Sequence, residues 1–263
     1  MATDEVKENK NNNKDARKNN DAWYNEKYLK KEYGSIDSRI IPSLNLADFN
    51  DDKFFKTYQN KEKDMQDATH WLIPNIFLVG RHPTFFVDSL IRQGFTKFIS
   101  LYEWGHNYMD ENDINVDNLE LIEFTIGDFS TRDDKETVRF IDRLVQNILS
   151  MNIIGNNNND EEKEDNNDEE KKQGHHMFYM HCLGGHGRTG LISSLLLQAI
   201  YGMDSKTALK VINHIHGCRH PNESNINKEY YRMPEANVQF EQIRRLHGEM
   251  NKIYKKYLVK NGK

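Results

Sequence analysis

Residues 179 to 192, "YMHCLGGHGRTGLI", combine residue types and spacing suited to phosphate chemistry. Cys182 is separated from Arg188 by five residues, three of which are glycines. Phosphoryl transfer through the protein needs a nucleophile, a ring of hydrogen-bond donors and a counter-charge. A thiolate can supply the first, backbone amides at a helix N-terminus the second, and a guanidinium fork the third. The stretch therefore predicts a cysteine-dependent phosphoryl-transfer site.

Two other phosphate-binding patterns fit the same stretch less well. Gly185, Gly187 and Gly190 spell the G-x-G-x-x-G of dinucleotide-binding folds. Such a fold needs a following strand and an acid about twenty residues later, but that place is occupied by Lys210, within the helically spaced "TALKVINHIH". A Walker loop is also excluded, because the required Lys and Ser/Thr are absent after Gly190.

The predicted roles of the loop residues follow from their chemistry. The fork of Arg188 can hold two phosphoryl oxygens, and the Thr189 hydroxyl can donate to the cysteine sulfur and ease its departure. His181 fits either a contact to the loop backbone or a buried core histidine. His186 fits either a substrate contact at the loop rim or an uncommitted surface residue. The residues predicted to bind the substrate phosphate are Leu183, Gly184, Gly185, His186, Gly187, Arg188 and Thr189.

The strands and helices around this loop can be predicted from Trp71 onward. "WLIPNIFLVG" is typical of a strand ended by Gly80, "PTFFVDSLIRQG" has the apolar spacing of a short helix, and "TKFISLY" and "LELIEFTIG" indicate further strands. Asp133 with Glu136 predicts a capping box that opens the next helix.

After an Asn- and acid-rich segment, "HMFYMHC" indicates the strand that leads into the loop. Helical spacing then predicts helices at 190–200, 205–216 and 234 to about 258, with Asp204 as the N-cap of the second. Strands alternating with helices indicate an α/β fold. We expect a central mixed sheet flanked by helices, with the phosphate-binding loop between a strand and a helix N-terminus.

Composition divides the chain. Residues 1–66 are predicted to be a disordered or weakly structured N-terminal region, and 67–258 one folded domain, interrupted at 155–173 by a disordered insertion. That insertion holds eight acids and three lysines and so carries the whole net charge of −5. The remaining chain is neutral overall, which gives no general argument for a nucleic-acid or acidic-membrane partner.

The sequence contains neither a membrane-length apolar run nor a signal peptide, and only two cysteines in 263 residues. We therefore expect reduced thiols and a cytoplasmic or nuclear protein. No feature indicates an oligomer, so a monomer is expected.

"HCLGGHGRTG" is similar to the signature of the protein tyrosine phosphatase superfamily, and the short core resembles the dual-specificity phosphatases. "WLIPNIFLVGRHP" resembles the first strand and turn of small cysteine phosphatases, "FISLYEWG" the second strand, and "MPEANVQFEQI" the opening of a late helix. The resemblance covers roughly residues 70 to 247.

The resemblance implies a general acid from a loop that precedes the cysteine, and Asp128 in "TIGDFST" fits that place. Asp128 lies 54 residues before Cys182, but leaving out the 19-residue insertion brings this to 35, close to the family's usual spacing. Asp133 and Asp134 compete for the role, and "GDFST" departs from the Pro-rich acid loop of many members. By resemblance alone, Gln239 helps to place the water that cleaves a phosphocysteine intermediate. No metal or other cofactor is expected.

Other functions are open to the sequence. A metal site would draw on His175, His176, His181, Cys182, His186, His216, Cys218 and His220. Only His216 and His220 show ligand spacing, and no paired cysteines accompany them, so a structural metal is disfavoured. An inactive phosphate-binding module would not need both the thiol and the acid. Phosphatases of phosphoinositides or RNA 5′-phosphates are the remaining alternative, but His186 is the only basic side chain between Cys182 and Arg188. The expected substrate is therefore a phosphorylated protein.

Overall fold

The computed structural model describes residues 32–46, 56–60, 62–150, 177–219 and 232–261. The insertion predicted at 155–173 lies outside the described residues, as do residues 1–31 of the N-terminal region predicted at 1–66.

The described chain is built around a five-stranded mixed sheet. Its strands are β3 Thr69–Ile73, β4 Phe77–Gly80, β5 Phe95–Ser100, β6 Glu120–Glu123 and β7 Met177–His181. Two further strands, β1 Glu32–Tyr33 and β2 Leu44–Asn45, pair only with each other. The order in the main sheet is β3-β4-β7-β5-β6. β3 runs antiparallel to β4, and the other neighbours are parallel. β7 is thus the central strand, and its carboxyl end carries the phosphate loop.

Helices cover both faces of this sheet, which confirms the predicted α/β class. They are α1 Val87–Arg92, α2 Asn107–Glu111, α3 Asp134–Ser150, α4 Gly187–Tyr201, α5 Ser205–His216, α6 Asn237–Arg245 and α7 His247–Asn261. One apolar core lies between the sheet and α3 to α7, and a second on the opposite face with α1 and α2. Every residue of α4 is buried, because α3, α5, α6 and α7 all pack around it. The helix that follows the phosphate loop is therefore fixed on all sides.

The single strand predicted from "WLIPNIFLVG" is wrong, because this stretch forms the β3–β4 hairpin. Pro74 has no N–H to donate to a ladder, and Asn75 adopts φ 60°, a left-handed conformation that asparagine tolerates. The turn reverses the chain and places Gly80 beside His181 on β7.

The single helix predicted at 234–258 is also wrong, because α6 and α7 are separate. Leu246 lies between them with ψ 0°, which departs from α-helical backbone, although Met250 N–H still bonds to Leu246 O. Leu246 is buried in the core, so packing holds the bend.

Residues 32–46, within the region expected to be weakly structured, pack on the domain. Tyr33 and Leu44 pair across β1 and β2, and Ile36 N–H donates to Ile200 O at the end of α4. The buried apolar side chains of this segment join the main core; they are Tyr33, Ile36, Ile41, Leu44 and Leu46. The packed part of the chain therefore extends N-terminal to residue 67.

The predicted helix caps form at both places. Asp133 Oδ1 accepts from the N–H groups of Lys135 and Glu136, and Asp204 Oδ1 accepts from Thr207 N–H. The capping box at α3 is only half present, because the Glu136 carboxylate bonds to Arg132 instead of the N-cap backbone.

Candidate active site

The phosphate loop spans the gap between β7 and α4 and places Cys182 at its base. The Cys182 sulfur accepts hydrogen bonds from Gly185 N–H at 3.2 Å and from the Thr189 hydroxyl at 3.1 Å. The residue is 2% exposed. Two donors directed at a buried sulfur stabilise negative charge on it, as a thiolate nucleophile requires.

The turn of the loop depends on Gly185. Its φ is 77°, and a Cβ atom there would lie 2.4 Å from the carbonyl carbon of Gly80. Glycine is therefore required both by the left-handed backbone and by the close approach to the end of β4.

A second arginine, Arg219, supports the loop from behind. Its Nη1 donates to Gly185 O at 3.4 Å and its Nε to Asp67 O at 3.2 Å, and burial lowers its pKa to about 10. Sequence reasoning missed Arg219, which lies beyond α5 and outside any motif. Its contact fixes the carbonyl of Gly185, the residue whose N–H donates to the cysteine sulfur.

Arg188 and Asp128, which the sequence predicted as the anion-binding arginine and the general acid, both line the pocket and contact each other. Arg188 Nη2 lies 3.1 Å from Asp128 Oδ1, and Nη1 donates to Ile126 O at 3.2 Å. The guanidinium is 4% exposed and lies 5.4 Å from the centre of the Tyr102 ring. These contacts hold the guanidinium at the pocket.

Of the three carboxylates considered for the general acid, only Asp128 lines the pocket. Asp133 caps α3. Asp134 pairs with Arg245, whose hydrogen bond lowers the pKa of the Asp134 carboxyl. The neighbouring Phe129 has φ 48°, a left-handed conformation unusual for an aromatic residue.

Gln239 lies under the segment 124–133 between β6 and α3, which is called the acid loop here because it carries Asp128. Its Nε2 donates to Ser130 O at 3.1 Å, and its Oε1 accepts from Ala236 N–H at 3.1 Å. The side chain is fully buried and borders Gly187, but it is not among the residues that line the pocket. In this arrangement Gln239 connects α6 to the acid loop.

The pocket above the cysteine has a volume of about 160 Å³. Its lining residues are Asp128, Phe129, Cys182, Leu183, Gly184, His186, Arg188 and Glu235. The predicted loop residues Gly185, Gly187 and Thr189 lie behind this surface and are buried. Sequence reasoning assigned no role to Glu235, although the "PE" of "MPEANVQFEQI" was part of the resemblance and marked the position.

His181 and His186, for which the sequence left two interpretations each, both make side-chain contacts in the structure. His181 is fully buried; its Nδ1 contacts Cys182 O at 3.2 Å and its Nε2 contacts the Tyr108 hydroxyl at 3.1 Å. It is thus a core residue that also contacts the loop backbone, and burial holds its pKa well below the usual range. His186 lines the pocket while its Nδ1 contacts His216 Nε2 at 3.0 Å. It is therefore not an uncommitted surface residue.

Within the ranges that the structure describes, no three His, Cys, Asp or Glu side chains are arranged to hold a metal ion. Across those same ranges, no helix has both the length and the apolar character needed to span a bilayer.

Comparisons with known proteins point to one superfamily. The family model described as "Swiss Army Knife protein, DSP-PTPase phosphatase domain" matches residues 66–230. No curated protein matches the sequence.

Three solved structures illustrate the structural likeness. DUSP15 is 12% identical, with 73% of this chain and 95% of that chain covered and a TM-score of 0.49. TpbA of P. aeruginosa, in complex with pTyr, is 13% identical, with coverages of 73% and 96% and a TM-score of 0.43. PTPMT1, in complex with PI(5)P, is 12% identical, with coverages of 70% and 97% and a TM-score of 0.45.

Proposed function

Because this chain belongs to the Swiss Army Knife DSP-PTPase phosphatase domain family, we propose that it is a phosphoprotein phosphatase that acts through a phosphocysteine intermediate. Its substrates on this proposal are phosphotyrosine and, in second place, phosphoserine and phosphothreonine in proteins. The observation that carries the proposal is a single pocket in which the hydrogen-bonded sulfur of Cys182, the fork of Arg188 and the carboxylate of Asp128 all face one small volume.

In the first step the Cys182 sulfur attacks phosphorus in line, forming a P–S bond as the P–O bond to the leaving group breaks. Arg188 and the loop amides bind the equatorial oxygens, on which charge concentrates. Asp128 protonates the leaving oxygen. Since Asp128 is ion-paired with Arg188 in this structure, phosphate binding must replace that contact.

In the second step water attacks phosphorus, the P–S bond breaks and inorganic phosphate forms. Asp128, now deprotonated, takes a proton from the attacking water. The Thr189 hydroxyl, which already donates to the sulfur, stabilises the departing thiolate. The water-positioning role predicted for Gln239 would require its amide to leave Ser130 O or Ala236 N–H, because both ends are engaged.

The walls of the pocket favour an aromatic leaving group. Phe129 and Leu183 line it, yet they are 62% and 51% exposed. Exposed apolar side chains beside a phosphate site can cover a phenyl ring and exclude water from it. A phosphotyrosine ring would bury this surface, whereas the short side chains of phosphoserine and phosphothreonine would leave most of it exposed.

The test compares three phosphopeptides of one sequence, carrying phosphotyrosine, phosphoserine or phosphothreonine, with a soluble phosphoinositide and an RNA 5′-phosphate. Phosphate release is measured with EDTA present, for the wild type and for Cys182→Ser. We expect the phosphotyrosine peptide to be hydrolysed at least about tenfold faster than the others, because one well-placed aromatic contact contributes roughly that factor. The Ser variant should be inactive.

Two results would overturn the proposal. Faster hydrolysis of the phosphoinositide or the RNA 5′-phosphate would replace the substrate class. Tight binding of the phosphotyrosine peptide with no turnover of any substrate would indicate a phosphate-binding module instead of an enzyme.

The proposed catalytic domain is 67–258, with 155–173 as a surface insertion. Support comes from the ordered elements on either side, since α3 ends at Ser150 and β7 begins at Met177. A variant that lacks 155–173 should keep wild-type activity on the phosphotyrosine peptide. Loss of activity in a folded deletion variant would assign the insertion to the site.

A further inference from the structure

Glu235 is a charged pocket residue to which the proposed two-step reaction gives no task. It lies just before α6 and lines the pocket with Cys182 and Arg188. Its Oε2 lies 2.7 Å from the position that a Cβ on Gly187 would occupy. The carboxylate therefore rests against the first residue of α4, where the loop amides gather.

The charges that face Glu235 oppose each other. Burial raises the pKa of the Glu235 carboxyl and the Asp128 carboxylate raises it further, whereas Gly187 N–H and the Arg188 guanidinium lower it. Besides Asp128, Cys182, Arg188 and Glu235, the pocket lining contains one further ionisable side chain, His186, and it contacts His216. Among the described residues, Arg188 is thus the one arginine or lysine in the lining, and it faces two carboxylates.

A phosphate in this pocket adds negative charge beside Glu235. On the proposed mechanism, the phosphate displaces the Asp128 carboxylate from Arg188, and Asp128 is protonated when it acts as the general acid. Glu235 has no such role, and its carboxylate stays beside the bound phosphate. Like charges at short range and partly shielded from water repel strongly. The penalty grows with each anionic group that the ligand places on this side of the pocket.

Resting on the proposed function, we propose that Glu235 is a specificity-determining residue that disfavours substrates with a second anionic group next to the transferred phosphate. The preferred ligand is a phosphomonoester whose neighbouring groups on that side are neutral or cationic, such as a phosphotyrosine flanked by basic residues. Substrates with adjacent phosphates, or with acidic flanking residues, are rejected by charge.

The test measures anion binding without turnover. Inorganic phosphate and pyrophosphate protect Cys182 from alkylation by iodoacetamide, and peptide mass spectrometry follows the Cys182 peptide separately from Cys218. The proteins are the wild type, Glu235→Gln and the matched control Glu241→Gln. Glu241 is an exposed carboxylate of α6 outside the pocket lining, so its variant makes the same change in net charge.

At pH 7.5 we expect Glu235→Gln to bind phosphate about threefold more tightly than the wild type and pyrophosphate about tenfold more tightly, because repulsion scales with ligand charge. Glu235 is ionised above its pKa, so both gains should be present at high pH and disappear as the pH falls through that pKa. Glu241→Gln should match the wild type.

Each other outcome is decisive. Equal protection constants for the wild type and Glu235→Gln at every pH would overturn this inference alone, as would an equal gain in Glu241→Gln. If neither anion protects Cys182 in any of the proteins, the phosphate pocket itself, and with it the proposed function, is overturned.

Discussion

The phosphate loop and the acid loop face the same pocket but are built differently. Cys182 and Arg188 are 2% and 4% exposed, and the helix that follows them is enclosed by four others. The Asp128 side chain is 60% exposed, and its neighbour Phe129 extends into solvent from a left-handed backbone. One half of the site is part of the core, whereas the other half lies on the surface.

The difference is consistent with the roles proposed for the two halves. A nucleophile and an oxyanion cradle work best when their donors are fixed before the substrate arrives. A proton donor must admit the substrate and then approach its leaving oxygen, which requires a segment with few packed contacts. The acid loop is attached beyond Asp128, where Gln239 bonds to Ser130 O and Gln242 to Arg132 O. The C-terminal end of the acid loop is therefore anchored to α6.

Removing the nucleophile should have the largest effect. Cys182→Ser is expected to lower kcat by about 10⁴-fold or more, because a hydroxyl is a far weaker nucleophile at neutral pH. The thermal unfolding temperature should stay near that of the wild type, since the two side chains are similar in size. Cys218→Ser is the control and should keep full activity. Substantial turnover by Cys182→Ser would contradict the covalent mechanism.

The phosphate loop should also lose activity when Arg188 is replaced by a residue of the same charge. Arg188→Lys is expected to lower kcat/KM by about 10³-fold, since an ammonium cannot reproduce the two-pronged contact with equatorial oxygens. Arg244→Lys, at an exposed arginine of α6 outside the pocket lining, should be nearly neutral. Similar kinetics for Arg188→Lys and the wild type would show that this arginine supplies charge alone.

A substitution of Asp128 in the acid loop should have an effect on kcat that depends on the leaving group of the substrate. Asp128→Asn is expected to lower kcat about 10²-fold on a phosphotyrosine peptide and much less on p-nitrophenyl phosphate, whose leaving group hardly needs a proton. Asp133→Asn is the matched control; it keeps a helix-capping side chain and should leave kcat unchanged. A uniform loss on both substrates would assign Asp128 a role other than proton donation.

The ion pair between Asp134 and Arg245, next to the anchored end of the acid loop, should matter least, and for stability only. The pKa of Asp134 is lowered chiefly by its hydrogen bond with Arg245, so the pair stabilises the fold above the unfolded-state pKa of Asp134 and loses this contribution as the pH falls through the lower folded-state pKa. Both side chains are partly exposed, which limits the contribution to about 0.5 kcal/mol.

Denaturant unfolding of Asp134→Asn at pH 7 and near pH 2 tests this last prediction. The variant should be less stable than the wild type at pH 7 and equal to it near pH 2, with kcat unchanged. A fall in kcat at pH 7 would show that this ion pair also positions the acid loop.

Local features were predictable because contiguous residues determine them. The nucleophile and arginine lie within one strand–loop–helix segment, and the Asp204 cap depends only on the next three residues. The same holds for the α/β class, which follows from apolar periodicity. The hairpin inside "WLIPNIFLVG" was missed because its apolar run continues through the turn on both sides of Pro74.

The amino-acid sequence alone was enough to locate the loop after the central strand and to suggest its chemistry, since the cysteine, the glycines and the arginine lie close together in the chain. The packing of the folded chain was needed to show which of three aspartates reaches the pocket, that Glu235 lines it, and that Arg219 supports the loop from behind. These residues come from distant segments, brought together at the carboxyl end of the central strand by the order of the strands and by packing around α4. Contacts of that kind depend on how the core buries its apolar surface, which no local pattern encodes.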